Sequence, residues 1–116
     1  MPYANGDIHI GHILEHIQTD IWVRFMRNSN HEVLSFCADD AHGAPIMMKA
    51  DELKIKPTDF IDQMKKDHQD SLKKFGIEYT NYYSTHSNEN ENLVSEIFLD
   101  AKDSGHIYKE DVEQCF

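Results

Sequence analysis

One stretch decides the predicted fold: Glu32-Val33-Leu34-Ser35-Phe36-Cys37, followed directly by Ala38-Asp39-Asp40-Ala41-His42-Gly43. The first six residues form an apolar run that is too short for a helix and is bounded by polar clusters, so they predict a buried strand. The next six predict a loop at the carboxyl end of that strand. Ligands of open parallel sheets bind at such strand ends.

Helical patterns lie on both sides of this strand. Before it, the residues Asn5-Gly6-Asp7 predict a turn with a helix cap. Apolar residues then recur at steps of three and four, which predicts a helix that ends near Asn28. These apolar residues are Ile10, Ile13, Leu14, Ile17, Ile21 and Phe25. After it, the sequence predicts a helix from Pro45, a helix from Pro57 to Gly76, a strand over 79–83, a helix over 87–104 and a short strand over 106–108. Strands that alternate with helices predict an α/β fold with a parallel sheet covered by helices.

Charge and cysteine content restrict the functional class. Eleven Lys and Arg stand against 21 Asp and Glu, for a net charge of −10, so the average field would repel a nucleic-acid backbone. Cys37 lies within the predicted strand and Cys115 lies far from it, which favours free thiols, a reducing compartment and a cytoplasmic protein. The sequence has neither an export signal nor an apolar run long enough to cross a membrane.

Three histidines, His9, His12 and His16, are spaced along one predicted stripe of the first helix, opposite its isoleucines. Three interpretations compete. The pattern His12-Ile13-Leu14-Glu15-His16 is that of inverted zinc proteases, in which two histidines bind zinc and the glutamate activates water, although a third ligand would be required. Alternatively, the histidines assist phosphate binding at a helix N-terminus, with Gly11 allowing close approach to the backbone. The third interpretation is that they are ordinary solvent-facing residues.

A longer pattern favours phosphate binding. The run Pro2-Tyr3-Ala4-Asn5-Gly6-Asp7-Ile8-His9-Ile10-Gly11-His12 resembles the signature of class I aminoacyl-tRNA synthetases, and its extended form resembles the methionyl family in particular. The resemblance continues in order through 14–16, 20–24, 31–33, 37–43 and 82–87. Similarity along nearly the whole chain is more specific than the zinc-protease pattern.

The resemblance implies a Rossmann-like catalytic domain that activates methionine with ATP and Mg²⁺ to methionyl-adenylate and then transfers methionine to tRNA(Met). It implies that His9 and His12 contact the ATP phosphates and stabilise the transition state, and that Gly11 lies under the adenosine. Tyr3 would line the methionine pocket and Asp40 would receive the substrate ammonium. Three further residues would lie near the cleft without an assigned role, namely His42, Tyr82 and His86. A magnesium site at Asp39-Asp40 is a weaker alternative for the role of that pair.

Parts of the family pattern do not occur in this chain. The Lys-Met-Ser-Lys-Ser signature is absent, as are the cysteine knuckles of the connective insertion. We therefore expect residues 1–116 to be the N-terminal half of the catalytic domain, ending near that insertion, without its first strand and second half, inactive alone and without a zinc site. Contacts with tRNA(Met) would come from other parts of the enzyme. A degenerate, non-catalytic module is the remaining alternative.

Overall fold

The computed structural model describes residues 1–110 of the 116-residue chain. It contains four helices and two strands within that part, in the order α1 (Ile10–Asn28), β1 (Phe36–Asp39), α2 (Ala44–Glu52), α3 (Pro57–Lys74), β2 (Asn81–Ser84) and α4 (Asn88–Asp103). The described residues divide into two compact units, residues 1–86 and the residues from 87 to 110. The alternation of helices and strands confirms the predicted α/β class.

The sheet is parallel, as predicted. β1 pairs with β2, with Phe36 opposite Asn81 and Asp39 opposite Ser84. Tyr3 forms an isolated parallel bridge with Asp40, so residues 2–4 lie where a third strand would pair with β1. A parallel pair requires a crossover connection, and α2 and α3 supply it here.

The predicted strand at Glu32–Cys37 is displaced in the structure, since β1 begins at Phe36 and continues to Asp39. Ser35 and Thr80 bond to each other's backbone amides through their hydroxyls, at 3.0 and 3.2 Å, which replaces regular pairing before Phe36. The predicted burial is also wrong, because Leu34 and Phe36 are exposed while Ser35 and Asp39 are buried. Successive strand residues face opposite sides of a sheet, and here the buried side is the polar one.

Helix α1 begins later than predicted, because its N-cap is His9 and not a residue of the 5–7 turn. Its buried residues are Ile13, His16 and Val23. The predicted isoleucine face is wrong as a single face: large apolar residues of α1 are exposed, namely Ile10, Leu14, Ile21, Trp22 and Phe25. The helical period was identified correctly, but only contacts with the rest of the fold select the side that is buried.

Helices α2 and α3 agree closely with the predictions. Each has a proline in its first turn, where the missing N–H costs nothing. Gly76 follows the end of α3 with φ +68°, the left-handed conformation expected after a helix. The spacing of Phe60, Ile61, Met64, His68, Leu72 and Phe75 predicts a seam along one side of α3. In the structure this seam is buried at Phe60, Ile61, His68 and Leu72, whereas Phe75 at its end is exposed.

Two apolar clusters flank α3. The first joins α2 and α3 to the residues around the Tyr3 bridge and consists of Ala4, Ala41, Ile46, Ala50, Phe60 and Ile61. The second joins α1 to the end of α3 and consists of Ile13, Leu72 and Ile77. His68 lies on α3 between these clusters in sequence, and its side chain is fully buried. Helix α3 therefore positions a polar group inside the unit.

The second unit is described by itself. α4 is capped by Ser87, whose hydroxyl accepts from the Asn90 amide at 3.2 Å, and Gly105 follows the helix with φ +76°. The predicted strand over 106–108 is wrong, since those residues have no regular structure. Cys37 is a free, half-buried thiol, and Cys115 lies outside the described residues. Across residues 1–110, no helix combines the length and apolarity that crossing a membrane requires.

Candidate functional site

His9 and His12 form a reciprocal cap at the start of α1. The Gly11 amide donates to His9 Nδ1 at 3.2 Å, and the His9 amide donates to His12 Nδ1 at 3.4 Å. The two rings stack with their centroids 3.7 Å apart. Two backbone N–H groups that a helix start leaves without partners are thereby satisfied.

The cap fixes where the ring protons lie. Because both Nδ1 atoms accept hydrogen bonds, each neutral ring carries its proton on Nε2. Burial, and then the neighbouring His9, lower the pKa of His12, which favours this neutral form. The helix start therefore offers two Nε2–H donors on rings that backbone groups hold in place.

The cap gives a local structural reason for the absence of a side chain at Gly11. A Cβ at this position would lie 3.1 Å from Nδ1 and Cε1 of the His9 ring. That separation is tighter than ordinary van der Waals contact, so a side chain would push the His9 ring away from the Gly11 amide. The glycine therefore leaves room for the His9 ring in the cap; its place under adenosine stays a prediction.

Tyr3 and Asp40 are brought side by side at the end of the sheet. The Ala4 amide donates to the Asp40 carbonyl and the Asp40 amide donates to the Pro2 carbonyl, both at 2.8 Å. Tyr3 is half-buried against the first apolar cluster, and Asp40 is exposed. The backbone bridge therefore places an aromatic residue next to a residue with an exposed carboxylate, two groups that can contact an apolar side chain and an ammonium group.

Gly43 makes room for the Tyr3 side chain. A Cβ at Gly43 would lie 2.6 Å from the Tyr3 hydroxyl oxygen. The backbone of Gly43 has φ 127° and ψ 161°, a region that is essentially restricted to glycine. Position 43 therefore excludes side chains for two independent reasons.

We predict that Gly43→Ala lowers the free energy of unfolding by about 1 to 3 kcal/mol, the usual cost of a strained backbone conformation. The matched control is Gly6→Ala, because a Cβ at Gly6 meets nothing within 4 Å. Urea unfolding followed by circular dichroism measures both variants. Equal stability of the two variants would show that neither the Tyr3 contact nor the backbone conformation restricts position 43.

Asp39 lies at the centre of a buried polar network. Its Oδ1 accepts from the Tyr82 hydroxyl at 2.5 Å and lies 2.8 Å from Nδ1 of His68. The other ring nitrogen of His68, Nε2, lies 2.7 Å from the Gly6 carbonyl oxygen. Asp39 and His68 are both essentially inaccessible to solvent. The network joins the 5–7 turn, β1, α3 and β2.

Sequence analysis identified only parts of this network. The place of His68 on an apolar seam indicates a buried histidine with hydrogen-bond partners, but its partners are distant in sequence. In the sequence, Asp39 and Asp40 are adjacent carboxylates that could act together. In the structure they differ, because Asp39 is buried and Asp40 is exposed. A magnesium site built from this pair gains no support, because residues 1–110 contain no group of three potential metal ligands.

Tyr82, His42 and His86 lie close to the carboxyl ends of the two strands. Burial, followed by the bond to Asp39, raises the pKa of Tyr82, so its hydroxyl stays a donor. His42 Nε2 lies 3.3 Å from His86 Nδ1, and both side chains are exposed. The structure therefore groups these residues near Asp39 and Asp40.

His16 does not belong to the exposed histidine stripe. It is buried, and its Nδ1 lies 2.6 Å from the Tyr79 hydroxyl oxygen. Burial is the main cause that lowers the pKa of His16, and it also raises the pKa of Tyr79 to about 12. Since His12 is directed to the cap and no third ligand is grouped with these residues in the described part of the chain, the zinc interpretation gains no support.

Comparison with known proteins identifies the family of this chain. The sequence model of the family described as tRNA synthetases class I (M) matches residues 1–116. The chain belongs to this family. Among its relatives is the methionine--tRNA ligase of Buchnera aphidicola subsp. Baizongia pistaciae (strain Bp), which is 52% identical over 115 residues. That alignment covers 99% of this chain and 21% of the relative, so the chain spans about a fifth of the relative's length.

A solved structure of a class I synthetase has the same fold over this region. The crystal structure of a ternary complex of Agrobacterium radiobacter LeuRS with tRNA and LeuAMS superposes with a TM-score of 0.87 and 26% sequence identity. The match covers 96% of this chain and 14% of that chain. The two-stranded parallel sheet with its helices is thus a fragment of the Rossmann-like fold of class I synthetases, as the sequence predicts.

Proposed function

We propose that this chain provides the ATP and methionine side of a methionine--tRNA ligase active site. The observation that carries the proposal is the reciprocal cap of His9 and His12, which leaves both Nε2–H groups as fixed donors at a helix start. The 52% identity to a methionine--tRNA ligase supports the choice of reaction. In that reaction, the methionine carboxylate attacks the α-phosphorus of ATP, methionyl-adenylate forms and pyrophosphate leaves.

The two Nε2–H donors suit the charge that develops during this attack. Negative charge builds on the oxygens around the α-phosphorus, and donors that are already oriented stabilise it without reorganising at the moment of reaction. The start of α1 adds its partial positive charge. His9 and His12 therefore contribute to the rate more than to ground-state binding of ATP. Mg²⁺ enters with ATP as part of the substrate.

Methionine would bind at Tyr3 and Asp40. The Asp40 carboxylate would accept hydrogen bonds from the substrate ammonium, and the Tyr3 ring would contact the thioether, a contact worth about 0.3 to 1.5 kcal/mol. Gly43 leaves room for the Tyr3 hydroxyl, and a backbone bridge joins Tyr3 to Asp40. Both of the proposed methionine-binding residues therefore belong to one short stretch of sheet.

The remaining steps involve other parts of the enzyme. Residues 1–116 would be the N-terminal half of the catalytic domain, and the lysines that neutralise the triphosphate would come from elsewhere. Contact with tRNA(Met) would also lie outside this acidic segment, whose net charge of −10 opposes a phosphate backbone. We propose a cytoplasmic enzyme and no adenylate formation by this segment alone.

A chimeric enzyme tests the proposal. Residues 1–116 replace the matching segment of the Buchnera aphidicola methionine--tRNA ligase, and methionine-dependent exchange of pyrophosphate into ATP is measured. We expect exchange within about tenfold of the parent enzyme, because the substrate contacts assigned above are present. The isolated 116-residue chain serves as the negative control. A folded chimera that binds neither ATP nor methionine would refute the proposal.

A further inference from the structure

We propose that His68 is a positioning residue: as an imidazolium, it clamps the Gly6 carbonyl of the 5–7 turn to Asp39 at the end of β1. The clamp sets the start of α1, with His9 and His12, against the strand end that carries Asp40. The inference that the start of α1 and the strand end at Asp40 form one substrate site rests on the proposed function. The protonation state of His68 and the clamp do not depend on the proposed function.

With Asp39 as a carboxylate, the geometry requires two protons on the His68 ring. Nε2 of His68 lies 2.7 Å from a backbone carbonyl oxygen, which only accepts hydrogen bonds. Nδ1 lies 2.8 Å from Oδ1 of Asp39, and this carboxylate oxygen already accepts from Tyr82. A neutral imidazole carries a single N–H and would leave one of these contacts without a proton. Only the imidazolium donates to both acceptors.

The buried charges balance within this network. The Asp39 carboxylate and the His68 imidazolium are both shielded from solvent and form an ion pair at 2.8 Å. Oδ2 of Asp39 is buried without a hydrogen-bond partner among the described residues. A buried carboxylate with one free oxygen is costly unless a full positive charge lies beside it. The cation that meets this requirement is His68.

Several ionisable groups act on His68 from the surrounding elements. Burial by itself lowers the pKa of His68, but the bonds to Asp39 and to the Gly6 carbonyl, together with the charges of Asp39 and Asp7, raise it above the ordinary value. The network also includes the Tyr82 hydroxyl on β2. On α1, His12 and His16 act in the opposite sense when they are charged.

The sign of the pH dependence follows from the raised pKa. The stabilisation from the clamp is complete below about pH 6.5, where histidine is protonated even in the unfolded chain, and it is lost as the pH rises through the folded-state pKa. Loss of the ring proton removes one of the two bonds, most simply the one to the neutral Gly6 carbonyl. The 5–7 turn would then be released before the ring leaves Asp39.

Nitrogen NMR of the uniformly ¹⁵N-labelled 116-residue chain tests the proposal without any substrate. Long-range proton–nitrogen spectra distinguish imidazolium from the neutral tautomers, and the spectrum of His68→Gln identifies the His68 signals. We expect a titration midpoint above the ordinary histidine value of about 6.5 and protons on both ring nitrogens at pH values below that midpoint. A midpoint below about 6.5, or a His68 ring that carries a single proton throughout the titration, would overturn the proposal.

The positioning role has its own readout. The amide of Asp7 belongs to the same peptide group as the Gly6 carbonyl, so its signal should shift with the His68 midpoint. Asp39→Asn should lower that midpoint and move the amide signals of Gly6 through His12, whereas Asp62→Asn, at an exposed position of α3, should do neither. Unchanged signals over Gly6–His12 in Asp39→Asn would refute positioning even if His68 is charged. A folded chimera that binds neither ATP nor methionine would instead refute the proposed function and leave these measurements standing.

Discussion

Asp39→Ala is expected to lower the free energy of unfolding by about 3 to 5 kcal/mol at pH 7, the usual cost of removing one partner of a buried ion pair. The substitution removes the acceptor of both the Tyr82 hydroxyl and the His68 ring. The fully buried His68 ring and the half-buried Tyr82 hydroxyl are then left without this acceptor. Such a loss is a large fraction of the stability of an ordinary domain, which is about 5 to 15 kcal/mol.

Two further variants serve as comparisons for Asp39→Ala. Asp62→Ala removes an exposed carboxylate from α3 and should change the stability by no more than about 0.5 kcal/mol. Asp39→Asn retains the shape and one acceptor oxygen, so it should lose less than Asp39→Ala. Urea unfolding of the four proteins at pH 7 gives the comparison. A loss of under about 1 kcal/mol for Asp39→Ala would contradict the central place that the structure gives this carboxylate.

His12→Asn in the chimeric enzyme is expected to lower kcat for pyrophosphate exchange by about 10²- to 10³-fold, the effect of removing one donor to a developing negative charge. The Asn amide oxygen takes the place of Nδ1 and can still accept the His9 amide, so the cap is retained. The donor at the Nε2 position is lost. Because this donor acts in the transition state, KM for ATP should change far less than kcat.

His12→Gln is the matched variant for this prediction. Its amide reaches the place of Nε2 and keeps a donor there, while the Nδ1 acceptor of the cap is lost. We therefore expect His12→Gln to retain more exchange activity than His12→Asn, and an exposed control, His31→Asn, to behave as the unmodified chimera. Steady-state exchange rates over a range of ATP concentrations separate kcat from KM. The reverse order of the two His12 variants would show that the cap, not the distal donor, limits the rate.

Local signals predicted much of the fold. Pro57 and Gly76 delimit α3 because proline fits a first helical turn and glycine fits the left-handed residue after the last one. The cap of α1 was placed too early, at the 5–7 turn, because Asp is a common cap residue and a histidine cap is not. The strand at 106–108 was predicted from a short apolar pattern that no neighbouring strand completes in the described residues.

The candidate site, like the fold, was predicted from the sequence only in part. The residue run from Pro2 to His12 and the strand end at Asp40 were predicted from ordered family similarity, and their proposed roles remain predictions. The face of α1 was predicted wrongly, since His16 is buried while Ile10 and Ile21 are exposed. A helical period specifies which residues share a side, but only the neighbouring elements determine which side is covered.

The order of helices and strands, the parallel sheet and the family can be predicted from the sequence alone, because these depend on local patterns and on residues in a fixed order. Tertiary packing is needed to show that Asp39 is the buried carboxylate and Asp40 the exposed one, and that His68 meets the Gly6 carbonyl across 62 positions of the chain. Those outcomes depend on how α3 packs against the strand ends. The charge of His68 follows from its two acceptors, and no pattern within one segment could bring them together.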